Sequence, residues 1–148
     1  MKTVLFVCTG NTCRSPMAAC MMNDLLAKAG REDIRAVSAG VAAFDGQPAS
    51  PGAQHAMAKR GLSLAAHRAQ SVTQPLLNGC DHIFCMSPRH GAALAGAFAL
   101  PVAALSFSPA VSDPYGGSDA VYEACARELY EHLTGLLPLL TADAEKNG

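Results

Sequence analysis

Short apolar runs rich in β-branched residues alternate along this chain with Ala-, Leu- and Met-rich stretches of helical length, and that alternation restricts the fold more than any other feature. Thr3 to Val7 reads as a buried strand. Ser15 to Ala29 follows as a helix, with Pro16 in its first turn and Gly30 just past its end. Ile34 to Ser38 reads as a second strand, and Ala39 to Ala49 as a loop punctuated by Gly and Pro. Ser50-Pro51 opens a helix ended by Gly61, and a short helix after Thr73 leads to a strand at His82 to Met86. Ser87-Pro88 begins the next helix, Val102 to Leu105 forms the last strand, and Ser106 to Gly117 is a loop. A long amphipathic helix then starts near Ser118, with Val121, Ala124, Cys125, Leu129 and Leu133 on one stripe; Pro138 kinks or ends it. The expectation is one α/β domain over residues 1–148, a parallel four-stranded sheet with helices on both faces. A ligand should sit beyond the carboxyl ends of its strands, and the turn after the first strand is the first place to look.

That turn reads Cys8-Thr9-Gly10-Asn11-Thr12-Cys13-Arg14-Ser15. A cysteine at a strand end is followed by Gly and Asn, which tolerate left-handed backbone. An arginine comes six positions on, and Ser15-Pro16 opens a helix. Backbone N–H groups curling round such a loop form an anion nest, to which the helix N-terminus adds positive potential. Arg14 supplies a planar fork that matches two phosphate oxygens. The same field favours a thiolate, so the Cys8 pKa is expected to fall towards that of thiols at helix N-termini, and the Ser15 hydroxyl can donate to the sulfur. A loop that holds phosphate and ionises a thiol is built for in-line attack on phosphorus. It is not a nucleotide-binding loop, because no Gly-Lys-Ser/Thr follows. A cysteine alone at a strand end is commonly a small buried hydrophobe; the Arg14 and Ser15 spacing separates this one from that case.

Composition enters as a set of exclusions. Net charge is −1, with no basic stripe of the kind a nucleic-acid partner requires. The run Val4 to Val7 is far shorter than a signal-peptide core, and no stretch is long enough to span a bilayer. Cys8, Cys13, Cys20, Cys80, Cys85 and Cys125 are therefore expected to be thiols of a cytoplasmic protein, without membrane association. No C-x-x-C pair is present, and the five His do not fall in zinc-ligand patterns, so no metal and no other cofactor is expected. Displacing a leaving group from phosphorus needs an acid. Asp113, in Asp113-Pro114-Tyr115-Gly116-Gly117, lies on the loop after the last strand and hence at the same edge of the sheet. Asp-Pro by itself marks only a turn; its weight comes from the pairing with the Cys8 loop.

The sequence resembles the low-molecular-weight protein tyrosine phosphatase family over nearly its whole length, through Val7-Cys8-Thr9-Gly10-Asn11-Thr12-Cys13-Arg14-Ser15-Pro16 and the acid loop Asp113-Pro114-Tyr115. Val37-Ser38-Ala39-Gly40, His67, Asp81 to Met86 and the final helix fall in family order. The resemblance implies a metal-free, two-step hydrolysis of a phosphorylated protein, by a protein expected to be a monomer. Cys8 becomes a phosphocysteine while Asp113 protonates the leaving group. Asp113 then acts as base on water, with Arg14 and the N–H groups from Thr9 to Ser15 holding the phosphoryl oxygens. It also implies that Asn11, Ser15, Ser38 and His67 brace the loop, and that Phe44 and Tyr115 wall the pocket. Cys13 matches a family position, and a reversible Cys8–Cys13 disulfide is set against simple packing. Two departures bear on substrate. Thr12 stands where tyrosine-directed members commonly have an aliphatic residue, and Gly116 where many have a second aromatic. Thr12 with Asp-Pro-aromatic-Gly-Gly is similar to the bacterial protein-arginine-phosphatase branch, so phosphotyrosine is the family-level expectation and phosphoarginine the alternative. Ser50 replaces a frequent Asp, and one loop contact is expected to be missing. A thioredoxin-coupled arsenate reductase is a minor alternative, because Cys80 and Cys85 read as core and Pro16 replaces that group's Gln. A phosphate-binding module without turnover would need neither the thiol nor the acid.

Overall fold

Four parallel strands in the order β2-β1-β3-β4 make the centre of the molecule, whose computed structural model describes residues 1–142. The elements run β1 (Lys2–Cys8), α1 (Arg14–Lys28), β2 (Ile34–Gly40), α2 (Pro51–Ala58), α3 (Gln74–Asn78), β3 (His82–Cys85), α4 (Pro88–Ala97), β4 (Ala104–Ser106) and α5 (Asp119–Thr141). Residues 143–148 of the expected domain lie outside the described residues. β1 pairs with both β2 and β3 and is buried on both faces, which is why it reads as a continuous apolar run. Its side chains alternate between two cores. Val4, Phe6 and Cys8 face α1, α2 and α5, while Leu5 and Val7 face Leu77, Ile83 and Leu94 on the other side. Helices therefore cover both faces, as the alternation of apolar runs requires.

The chain leaves β1 through α1 to β2 on one side, and reaches β3 and β4 on the other. The strand order reverses at β1, so a crevice opens at its carboxyl end. Gly40, at the end of β2 and in register with Cys8, lets the loop after β1 lie against β2: a Cβ there would collide with the Thr9 carbonyl oxygen and stand 3.0 Å from the Asn11 nitrogen. The open edge of β2 is covered by side chains. The Asn23 amide donates to Ala36 O at 3.0 Å and accepts from Ala36 N at 2.8 Å, and Gln70 Nε2 donates to Ser38 O at 2.9 Å.

The final helix departs from its sequence reading in its buried stripe. Its buried stripe is Tyr122, Cys125, Ala126, Leu129, Leu133 and Leu140; Val121 and Ala124 face solvent. The stripe is turned because the Tyr122 ring packs over Gly52 of α2, where a Cβ would collide with it. Of the two outcomes expected at Pro138, a kink or an end, the end is not what happens: the helix runs on to Thr141. An interior proline costs about 3 kcal/mol. Offsetting that are the full burial of Leu140 and the Arg31 guanidinium, whose Nη1 donates to Thr141 O at 3.1 Å. The last strand, β4, also begins two residues later than the apolar run suggests, at Ala104.

Candidate active site

Residues Thr9 to Cys13 form the turn from β1 into α1, and their backbone is arranged for an anion. The N–H groups of Gly10, Asn11, Thr12 and Cys13 make no hydrogen bond to any described residue. The first turn of α1 carries no acidic residue, so its positive end is unopposed. The left-handed position in the turn is Asn11, at φ +57°, not Gly10. Asn11 holds that conformation through its side chain, fully buried. Its Nδ2 donates to Ser15 Oγ at 2.8 Å and to Ser38 Oγ at 2.9 Å, and its Oδ1 accepts from Gln70 N at 2.9 Å. His67 Nε2 donates to the Asn11 carbonyl at 2.7 Å, and burial lowers its pKa, keeping the ring neutral with that nitrogen protonated.

Cys8 Sγ lies 2.9 Å from Ser15 Oγ, and only 2% of the residue is exposed. Ser15 Oγ accepts from Asn11, and its own proton has two acceptors in reach, the Cys8 sulfur and, at 3.5 Å, the Ala39 carbonyl oxygen. Arg14 is buried at the start of α1. Its Nη1 donates to Val111 O at 3.0 Å, its Nη2 to Thr9 Oγ1 at 3.4 Å, and Nη2 stands 3.7 Å from Asp113 Oδ2. The Asp113 carboxylate is half exposed, and its Oδ1 accepts from Tyr115 N at 3.1 Å, closing a tight turn that fixes its direction.

These groups surround a cleft of about 280 Å³ lined by Cys8, Thr9, Gly10, Thr12, Cys13 and Arg14 from the loop, with Asp113 above it. Phe44 and Tyr115 flank the opening, 77% and 74% exposed, and Ala42 and Gln47 complete it. The structure thus brings the sequence-predicted residues to one place, with Ser38 and His67 behind the loop. Ser50 meets the loop through its backbone and its own short side chain. Ser50 N donates to Thr12 O at 2.9 Å, its hydroxyl caps α2 at Ala53 N, and it lies 3.3 Å from Cys13 Sγ. Tyr122 Oη is also 3.3 Å from that sulfur, and burial together with the Cys13 contact pushes the phenol up to about 12. Cys80 and Cys85 are buried, and burial raises the Cys80 pKa and carries Cys85 to about 12. Such thiols are poor nucleophiles. Sequence reasoning missed Gln70, Gln47, Ser50 as a loop contact, and the pair Ser87 and His90.

A sheet whose first strand delivers a cysteine into a Cys-x5-Arg loop, opposite an aspartate from the last loop, defines a class of α/β phosphate-loop proteins. The chain belongs to the low molecular weight phosphotyrosine protein phosphatase family, whose model matches residues 3–146. It is 42% identical over 86 residues to a probable low molecular weight protein-tyrosine-phosphatase, EpsP, of Ralstonia solanacearum. That match covers 58% of this chain and 56% of the relative, so it spans little more than half the relative's length. A protein-arginine-phosphatase of Bacillus subtilis is 32% identical over 148 residues, covering 95% of this chain and 97% of that one. The crystal structure of a low molecular weight protein tyrosine phosphatase from T. tengcongensis superposes with a TM-score of 0.84. It is 37% identical and covers 93% of this chain and 98% of its own.

Proposed function

We propose that this protein, acting as one domain, is a cysteine-dependent phosphatase that hydrolyses phosphotyrosine-type groups on proteins through a phosphocysteine. The observation that carries this reading is Cys8 Sγ under the Ser15 hydroxyl, at the base of a loop whose N–H groups have no other partner. A phosphoryl group seated in that nest puts three oxygens on the loop N–H groups and Arg14, and phosphorus in line with the sulfur. Attack by Cys8 breaks the bond to the leaving group, and Asp113, reaching in from above, gives that atom its proton. Asp113 then takes a proton from the water that attacks the phosphocysteine, returning thiolate and inorganic phosphate. The six free cysteines support a reducing, cytoplasmic setting. Turnover of para-nitrophenyl phosphate with competitive inhibition by vanadate tests the reading; tight phosphate binding without turnover would leave only a binding module.

A second reading, phosphoarginine as substrate, is favoured by Thr12, which puts a hydroxyl on the cleft wall. Phosphoarginine leaves as a polar, planar guanidine, whereas phosphotyrosine leaves as an apolar ring. In an arginine-directed cleft Thr12→Ile removes a polar contact, and the ratio of kcat/KM for phosphoarginine over phosphotyrosine peptides should fall about 5- to 150-fold, the worth of one hydrogen bond in a closed site. A ratio unmoved by the substitution defeats the arginine-directed reading of Thr12.

Cys13 supports a redox role as well as a packing one. Its sulfur is buried between Ser50 and Tyr122, within one turn of Cys8. Mild peroxide should inactivate the enzyme, and thiol should restore it if Cys13 traps the oxidised Cys8 as a disulfide. Cys13→Ser should then recover incompletely; recovery equal to that of the parent would mean that Cys13 only packs.

A further inference from the structure

His90, in the first turn of α4, is 6% exposed, and the chemistry above does not use it. Its Nε2 lies 2.9 Å from Thr9 Oγ1 and its Nδ1 2.9 Å from Ser87 Oγ. Donor accounting leaves this chain two neutral forms. Arg14 can only donate, so Thr9 Oγ1 accepts from Nη2. If the Thr9 proton goes to His90 Nε2, the ring proton sits on Nδ1 and goes to Ser87. In the opposite tautomer Thr9 receives two N–H groups and Ser87 donates to Nδ1; either way the ring joins Ser87 to Thr9. The cation would place two donors and a second charge beside Arg14. Burial, then Arg14 and Arg89, oppose that charge more than Asp113 favours it, and the pKa falls to about 4.

The consequence lies at Arg14. One end of its fork is pinned by Val111 O from the acid loop, the other by Thr9. Beyond them a second cavity, of about 460 Å³, is lined by Ser87, Arg89 and His90, with Thr9, Arg14 and Asp113 on its near side. Without His90, Thr9 would be free to turn towards that space, and the guanidinium would lose one of the two contacts that set its plane. We propose that His90 is a positioning residue which, hydrogen-bonded to the Thr9 hydroxyl, holds it in place and through it fixes the Arg14 fork for the phosphoryl group. This rests on the phosphatase reading of the Cys8 loop.

The test compares His90→Gln with His90→Asn, alongside Thr9→Val and the Thr9→Val/His90→Asn pair. A Gln amide oxygen reaches roughly as far as Nε2, whereas Asn is too short to reach Thr9. The quantities are kcat/KM for para-nitrophenyl phosphate and the calorimetric Kd for inorganic phosphate, with thermal melts as a check on folding. The expected result is about a 5- to 150-fold loss in both for His90→Asn, the cost of an unmade hydrogen bond at a partly buried site. Most of it should be recovered in His90→Gln, and the double variant should be no worse than Thr9→Val. Equal losses for Gln and Asn, or additive losses in the pair, would overturn the proposal. Absence of turnover in the parent would instead defeat the phosphatase reading, and the phosphate Kd would still report on the relay. Ring ¹⁵N spectra give an independent readout: a ring held in this chain does not titrate between about pH 5 and 8. A ring titrating near 6.5 would also overturn the proposal.

Discussion

Cys8→Ser is expected to lower turnover by on the order of 10⁴-fold or more, while phosphate and vanadate still bind within a few-fold of the parent. The two outcomes separate because they rest on different atoms. Binding depends on the unpaired N–H groups of Gly10 to Cys13, the positive end of α1 and the Arg14 fork, none of which the substitution touches. Attack depends on the sulfur at position 8, and a serine hydroxyl is a far weaker nucleophile than a thiolate. Serine is also smaller at a site that is nearly closed, so the loop has no steric reason to rearrange. Near-parent turnover in the variant would remove Cys8 from the mechanism. Loss of phosphate binding would mean instead that the sulfur holds the loop in shape.

The fold and the first half of the site were legible because the physics there is local. β1 shows itself as an apolar run, and Cys8, Arg14 and Ser15 follow within one turn, at a spacing that serves one loop. Asp113 was legible only through pairing with that loop, since Asp-Pro alone marks a turn. The rest depends on contacts between residues far apart in sequence. Gln70 reaches Asn11 across 59 positions, and His90 reaches Thr9 across 81. Neither lies in a pattern with a period, and Ser87-Pro88-Arg89-His90 carries the marks of a helix start and nothing more. The turned stripe of α5 has the same origin. Local rules leave Pro138 to kink or end the helix and place the stripe by the mean apolar face, whereas burial of Leu140 carries the helix on and the fit of Tyr122 over Gly52 turns the stripe.

Asp113→Asn should slow the enzyme by roughly 10²- to 10⁴-fold on substrates with poor leaving groups, and by much less on good ones. The comparison works because the substitution changes one property. Asn keeps an acceptor for Tyr115 N, so the turn that aims residue 113 at the cleft survives, with Pro114 still stiffening it. What is lost is the ionisable proton, together with a charge 3.7 Å from Arg14. Asp113 is half exposed, so the lost ion pair is worth little by itself. A phenol of low pKa leaves as an anion unaided and should barely register the change, whereas an alkyl alcohol cannot leave without a proton. The slope of log kcat/KM against leaving-group pKa should therefore be shallow in the parent and steep in the variant. If both leaving groups lose activity by the same factor, the carboxylate serves to hold Arg14 and the loop, and the acid must be sought elsewhere in the cleft.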